Sequence, residues 1–198
     1  MHIEARLPKR CHRDDKDEGF TLIELLVVLL IIGILLAIAI PTFLSTSKSA
    51  NNTAAQSNLN TANTASTSYF TQANQTFSGI DTGGLSSGLG GVGSGVSSIT
   101  QEDVGMSFVS GAPSTGANDI SLWTDNGSSV VLAAYSSGSK DCWYVIDLKG
   151  VASTPVWGET AIGTYYAVDR AVGSGACQAT STASGTASTP QGGGFPAG

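Results

Sequence analysis

The chain divides first by hydropathy. Residues 1–19 mix five basic groups (Arg6, Lys9, Arg10, Arg13, Lys16) with five acidic ones (Glu4, Asp14, Asp15, Asp17, Glu18). From Leu25 to Ile40 no side chain is polar, and no formal charge occurs between Leu25 and Ser47. Wound as a helix, the stretch from Phe20 to Leu44 would extend about 37 Å, enough to cross the hydrocarbon core of a bilayer. Further along, apolar residues recur at Ala55, Leu59, Ala62, Tyr69 and Ala73, with Ser66 filling the remaining place. Steps of three and four predict a helical stripe facing a core. Neither Gly nor Pro interrupts residues 42–78. The pattern therefore predicts one helix from about Phe20 to about Phe77. Its second half is rich in Ser, Thr and Asn, weak helix formers that need packing on one face to stay wound.

The pattern changes at Gly79. Residues 79–105 read as a Gly/Ser-rich surface loop; no Lys follows its glycines at the spacing of a phosphate-binding loop. Short apolar runs then predict strands at 106–109, 120–124, 130–135, 142–148 and 162–168, the third and fourth joined by a hairpin loop at 136–141. An antiparallel sheet packed on the long helix is an α+β fold. Trp123, Trp143 and Trp157 are the expected anchors of its core. The tail at 179–198 is Ser, Thr, Ala and Gly with two prolines, and reads as disordered. The predicted organisation is a leader at 1–19, an apolar helix at 20–44, a soluble helical half at 45–78, the loop at 79–105, a sheet head at 106–178, and the tail.

Composition narrows the chemistry. Of 198 residues only 12% are charged, and the net charge is −6. The leader is formally neutral, so everything after it carries the whole deficit, which argues against electrostatic binding to nucleic acid. Both histidines, His2 and His12, precede residue 20, so no imidazole is available downstream for serine–histidine catalysis or zinc ligation. Asp119, Asp125, Asp141 and Asp147 flank strands and read as solvated turn residues, ahead of paired glycosidase carboxylates or calcium ligands. No catalytic residue, metal or cofactor is expected. Cys11 lies in the leader, which leaves Cys142 and Cys177 as an even pair, compatible with one disulfide or with two buried thiols.

Three readings compete for the apolar segment. It could be a plain anchor, or a secretory signal with Ala37-Ile38-Ala39 as the cleavage site. Glu24 and the acidic run at 14–18 count against the signal peptide. The third reading accounts for Gly19-Phe20-Thr21-Leu22-Ile23-Glu24, the apolar helix and Pro41 together: the segment at about 19–50 resembles the N-terminus of type IV pilins and pseudopilins. The resemblance implies cleavage after Gly19 by a prepilin peptidase and methylation of the new N-terminus at Phe20. It implies that Glu24 pairs with the N-terminal amine of a neighbouring subunit. It places Thr21, Gly33 and Pro41 in the assembly helix, Gly33 allowing close approach and Pro41 a kink. It further implies a pilin-like α+β fold, with a disulfide loop closed by Cys142 and Cys177. The implied partners are further copies in a helical homo-oligomeric filament, the peptidase, an inner-membrane assembly platform with minor pilins, and the lipid bilayer before assembly. The implied location is the cytoplasmic membrane, N-terminus inside, and then the cell surface. A structural filament subunit is the leading expectation, not an enzyme. The alternatives are a pseudopilin of a type II secretion or DNA-uptake system, and a membrane-anchored adhesin.

Overall fold

A computed structural model describes residues 20–80, 106–125 and 127–196. The leader, with Gly19, and the bulk of the Gly/Ser-rich loop lie outside the described residues. The chain forms two compact units, one through Thr42 and one from Phe43 onward.

Helix α1 runs Leu22–Gln72 and contributes to both units. Beyond Glu24 it carries an unbroken apolar surface in the first unit, with Leu25 to Ile40 exposed all round. Pro41 lies inside the helix. Proline has no N–H for the carbonyl four residues back. That carbonyl is Ala37's; the Thr42 hydroxyl donates to the next two, of Ile38 (3.1 Å) and Ala39 (2.9 Å).

In the second unit the predicted stripe is the buried face: Ala55, Leu59, Ala62, Ala65, Ser66 and Tyr69. The helix stops five residues earlier than the pattern suggested. Asn74 adopts a left-handed backbone with φ 55°, and the Gln75 N–H donates to the Phe70 carbonyl at 2.9 Å. This is the closing turn of a Schellman cap, with Asn in the place glycine most often takes. Phe77 folds back so that its ring centroid lies 4.8 Å from that of Phe70.

The sheet has six strands in chain order: β1 (Ser107–Ser110), β2 (Asp119–Thr124), β3 (Ser129–Ser136), β4 (Asp141–Leu148), β5 (Gly163–Asp169) and β6 (Gln191–Gly192). It is mixed rather than purely antiparallel, because β1 runs parallel to β2. The loop between them turns the chain around before it re-enters the sheet. The β3–β4 hairpin pairs Ser136 with Asp141, the two ends of the expected loop, so the strands each extend one residue into it.

Both faces of the sheet are covered. Alternate residues Val130, Leu132, Ala134, Trp143, Val145 and Val168 meet the helix stripe. The intervening residues Val131, Ala133, Tyr144, Ile146 and Ala167 bury against Ala152, Val156, Trp157 and Ala179 from connecting segments. Burial on both sides explains why β3 and β4 are nearly continuous apolar runs. Trp143 and Trp157 sit in opposite layers, and Trp123 is half-buried. Asn52 pins the helix to the hairpin: its Oδ1 accepts from Ser139 Oγ at 2.5 Å and Trp143 Nε1 at 3.2 Å.

The tail differs from its reading as disordered. The Ser188 N–H donates to the Val168 carbonyl at 2.8 Å, Gln191 and Gly192 pair with Tyr166 and Tyr165, and Phe195 packs on Trp143 and Tyr166. Without this segment β5 would be a bare edge strand, with its backbone groups unpaired. Backbone hydrogen bonds and one aromatic ring hold the segment, and composition registers neither.

Candidate functional site

The first turn of α1 is built by a reciprocal pair. The Thr21 N–H and hydroxyl both donate to Glu24 Oε2, at 2.8 and 2.7 Å, and the Glu24 N–H donates to Thr21 Oγ1 at 3.3 Å. Thr at the cap and Glu three residues on is a capping box, which satisfies N–H groups that a helix start leaves open. Both Thr21 bonds use one carboxylate oxygen. Among the described residues Oε1 has no hydrogen bond. Phe20 precedes the helix and is exposed. The structure thus brings together Phe20, Thr21 and Glu24, while Gly33 and Pro41 lie farther along the same apolar helix. A Cβ at Gly33 would meet nothing within 4 Å.

The head holds the second group of predicted residues. Cys142 and Cys177 form a disulfide. Cys177 also exchanges backbone hydrogen bonds with Ser114, at 2.6 and 2.9 Å. The link therefore ties β4 to the segment that leads into β2.

The strand-flanking aspartates separate into two kinds. Asp125 behaves as a turn residue, its Oδ1 accepting from the N–H groups of Gly127 (2.8 Å) and Ser129 (2.9 Å). Asp119 accepts from the Thr115 hydroxyl at 2.9 Å. Asp141 and Asp147 are buried instead, which corrects their reading as solvated. Asp141 Oδ1 accepts from the Ala171 N–H at 3.0 Å. Asp147 faces the helix, where it binds the Lys149 ammonium at 2.8 Å and accepts from Thr164 (3.1 Å) and Thr67 (3.4 Å). Lys149 two residues on was the one available sign of such a pair. Among the described residues no group of three or more His, Cys, Asp or Glu is placed to hold a metal ion.

One buried carboxylate escaped the sequence reading altogether. Asp169 ends β5 at 4% exposure, and its Oδ1 has no hydrogen-bond partner among the described residues. Tyr144 is its neighbour. Burial, and then the Asp169 charge, push the Tyr144 phenol up to about 12.

Comparison with known proteins bears on the N-terminal segment. A family described as the prokaryotic N-terminal methylation motif matches residues 15–40. A type IV major pilin protein, PilA of Myxococcus xanthus strain DK1622, is 46% identical over 57 residues. That match covers 29% of this chain and 26% of the relative, so the chain spans about a quarter of the relative's length. No solved structure matches the chain.

Proposed function

We propose that this chain, whose N-terminal segment is that of a type IV pilin, is a structural subunit of an extracellular pilus-like filament. One observation carries the reading: Phe20, Thr21 and Glu24 stand at the head of an apolar helix exposed on every side, within a matched methylation motif. A peptidase at the cytoplasmic face would cut after Gly19, whose missing side chain leaves the bond accessible, and methylate the amine of Phe20.

Glu24 then has two duties. A carboxylate in an apolar membrane helix costs about 2.5–3.5 kcal/mol on the insertion scale, and the helix from Leu25 to Ser47 offers no cation. In the single chain, Oε2 closes the capping box. Oε1 remains for the Phe20 ammonium of an adjacent subunit, so intermolecular pairing need not open the first turn. The pair favours insertion at one axial offset and neutralises both charges. The remainder of the helix exchanges lipid for neighbouring helices. The head has a structural role here, as pilin heads do, and no catalytic one.

The test is the N-terminal mass of the protein in sheared surface material and in the membrane fraction. A chain beginning at methylated Phe20 in sheared filaments is the expected result. The same terminus confined to the membrane would favour a pseudopilin. A start at Ile40 would make it an ordinary secreted protein and overturn the reading.

A further inference from the structure

A cavity of about 350 Å³ opens in the head between the end of β5 and the segment that follows the disulfide. That volume lies in the range of small-molecule sites. Its wall includes Cys142, Tyr144, Asp169, Val172, Gln178 and Thr180. Asp169 is 4% exposed, with Oδ1 unpartnered among the described residues. An unpaired buried carboxylate is costly, so its environment favours a cation that also donates hydrogen bonds.

The remaining wall says which cation. Gln178 Nε2 already donates to the Gly111 carbonyl at 3.2 Å, the Thr180 hydroxyl to the Thr182 carbonyl at 2.7 Å, and the hydroxyls of Ser184 and Thr186 share one bond at 3.3 Å. These donors have partners within the chain, which leaves the Tyr144 phenol and the Thr182 hydroxyl as the wall's other donors. A divalent metal would find one carboxylate and no cluster of ligands. Val172, Ala176 and the Tyr144 ring add apolar surface beside the charge. We propose that this cavity binds a primary alkylammonium, its nitrogen on Asp169 and its alkyl stem against Val172 and Tyr144. The Tyr144 phenol stays protonated far into the alkaline range and adds no competing negative charge. Such an ammonium has two sources: a free amine, or a lysine side chain of a second copy, for which the exposed Lys48 and Lys140 qualify. The site stands whether or not the chain polymerises.

The experiment uses the full chain in nonionic detergent micelles, with aspartate carboxyl carbons labelled with carbon-13. n-Butylammonium chloride is titrated against n-butanol and sodium chloride. The expected result is a saturable shift of the Asp169 carboxyl signal with n-butylammonium alone, and binding at least tenfold weaker in Asp169→Asn by calorimetry. Val172→Phe, which fills the cavity and keeps the carboxylate, should weaken binding likewise and serves if Asp169→Asn fails to fold. No saturable shift in the wild type, an equal response to n-butanol, or unchanged binding in Val172→Phe would overturn the proposal. Given binding, zero-length carbodiimide coupling of assembled material separates the sources. An Asp169–lysine isopeptide between copies identifies the neighbour's lysine, and its absence identifies a free amine.

Discussion

Thr21 and Glu24 hold each other across the first turn of α1, with a hydrogen bond in each direction and a third between their side chains. Removing either partner has different consequences. Thr21→Ala should cost about 1 kcal/mol of helix-start stability, the usual value of a lost cap, and leave filament yield within a fewfold of wild type. Glu24→Ala should abolish filaments while processed protein accumulates in the membrane. Immunoblots of sheared and membrane fractions, side by side, distinguish the two; equal loss in both variants would show that capping is the only duty of Glu24.

Asp147 offers a cleaner stability test. Lys149→Met leaves a carboxylate at 1% side-chain exposure with two hydroxyls and, among the described residues, no ion-pair partner. The expected cost is about 3 kcal/mol, because breaking a buried pair from one side strands its partner. Denaturant unfolding of the full chain in micelles would measure it, and a loss below about 0.5 kcal/mol would mean that the hydroxyls alone suffice.

Much of this architecture was legible beforehand. The stripe Ala55, Leu59, Ala62, Ser66 and Tyr69 announces itself by spacing, and strands β2 to β5 announce themselves by apolar runs with turn residues between. Of what was not legible, three features share one reason: their signal is not carried by side-chain pattern. The early helix stop depends on Asn74 adopting a left-handed backbone. The burial of Asp141 and Asp147 depends on partners up to 80 residues away, such as Thr67. The order of the tail depends on backbone pairing along β5 and on Phe195.

Phe195 makes the tail testable. Its ring stands edge-on to Trp143, centroids 5.6 Å apart, and 4.7 Å from Tyr166. Phe195→Ala should destabilise the head by about 1–3 kcal/mol, the lower part of the range for aromatic truncations because the ring is only half-buried. Tryptophan fluorescence during unfolding reads this directly, and an unchanged midpoint would mean that the tail adds nothing to the core.

The disulfide closes a loop with a sequence separation of 35. On the chain-entropy account its reduction should lower stability by roughly 3–4 kcal/mol. Cys142→Ser with Cys177→Ser should match the effect of reductant, which thermal unfolding with and without dithiothreitol would check. A variant as stable as the oxidised wild type would overturn the expectation.

Tyr144 predicts alkaline behaviour. Its phenol is raised to about 12 from an ordinary value of 10.0, so the folded head keeps a proton that the unfolded chain releases. That contribution is intact below pH 10 and is lost as pH climbs toward 12, by about 2–3 kcal/mol at most. The unfolding midpoint should therefore fall more steeply over this window in the wild type than in Tyr144→Phe. Parallel curves would show that the phenol does not titrate with unfolding.

The surface from Leu22 to Leu44 has one further consequence. Its apolar side chains are about half or more exposed, and none is buried within its own chain. Water is an unfavourable refuge for so much hydrocarbon, so on the proposed function an unassembled copy would be confined to a two-dimensional reservoir. Encounters between copies would then be counted per unit of membrane area, not per volume of cell. Growth of a filament would draw down a surface density, and enlarging the membrane without new synthesis would slow elongation even though the number of copies stayed the same.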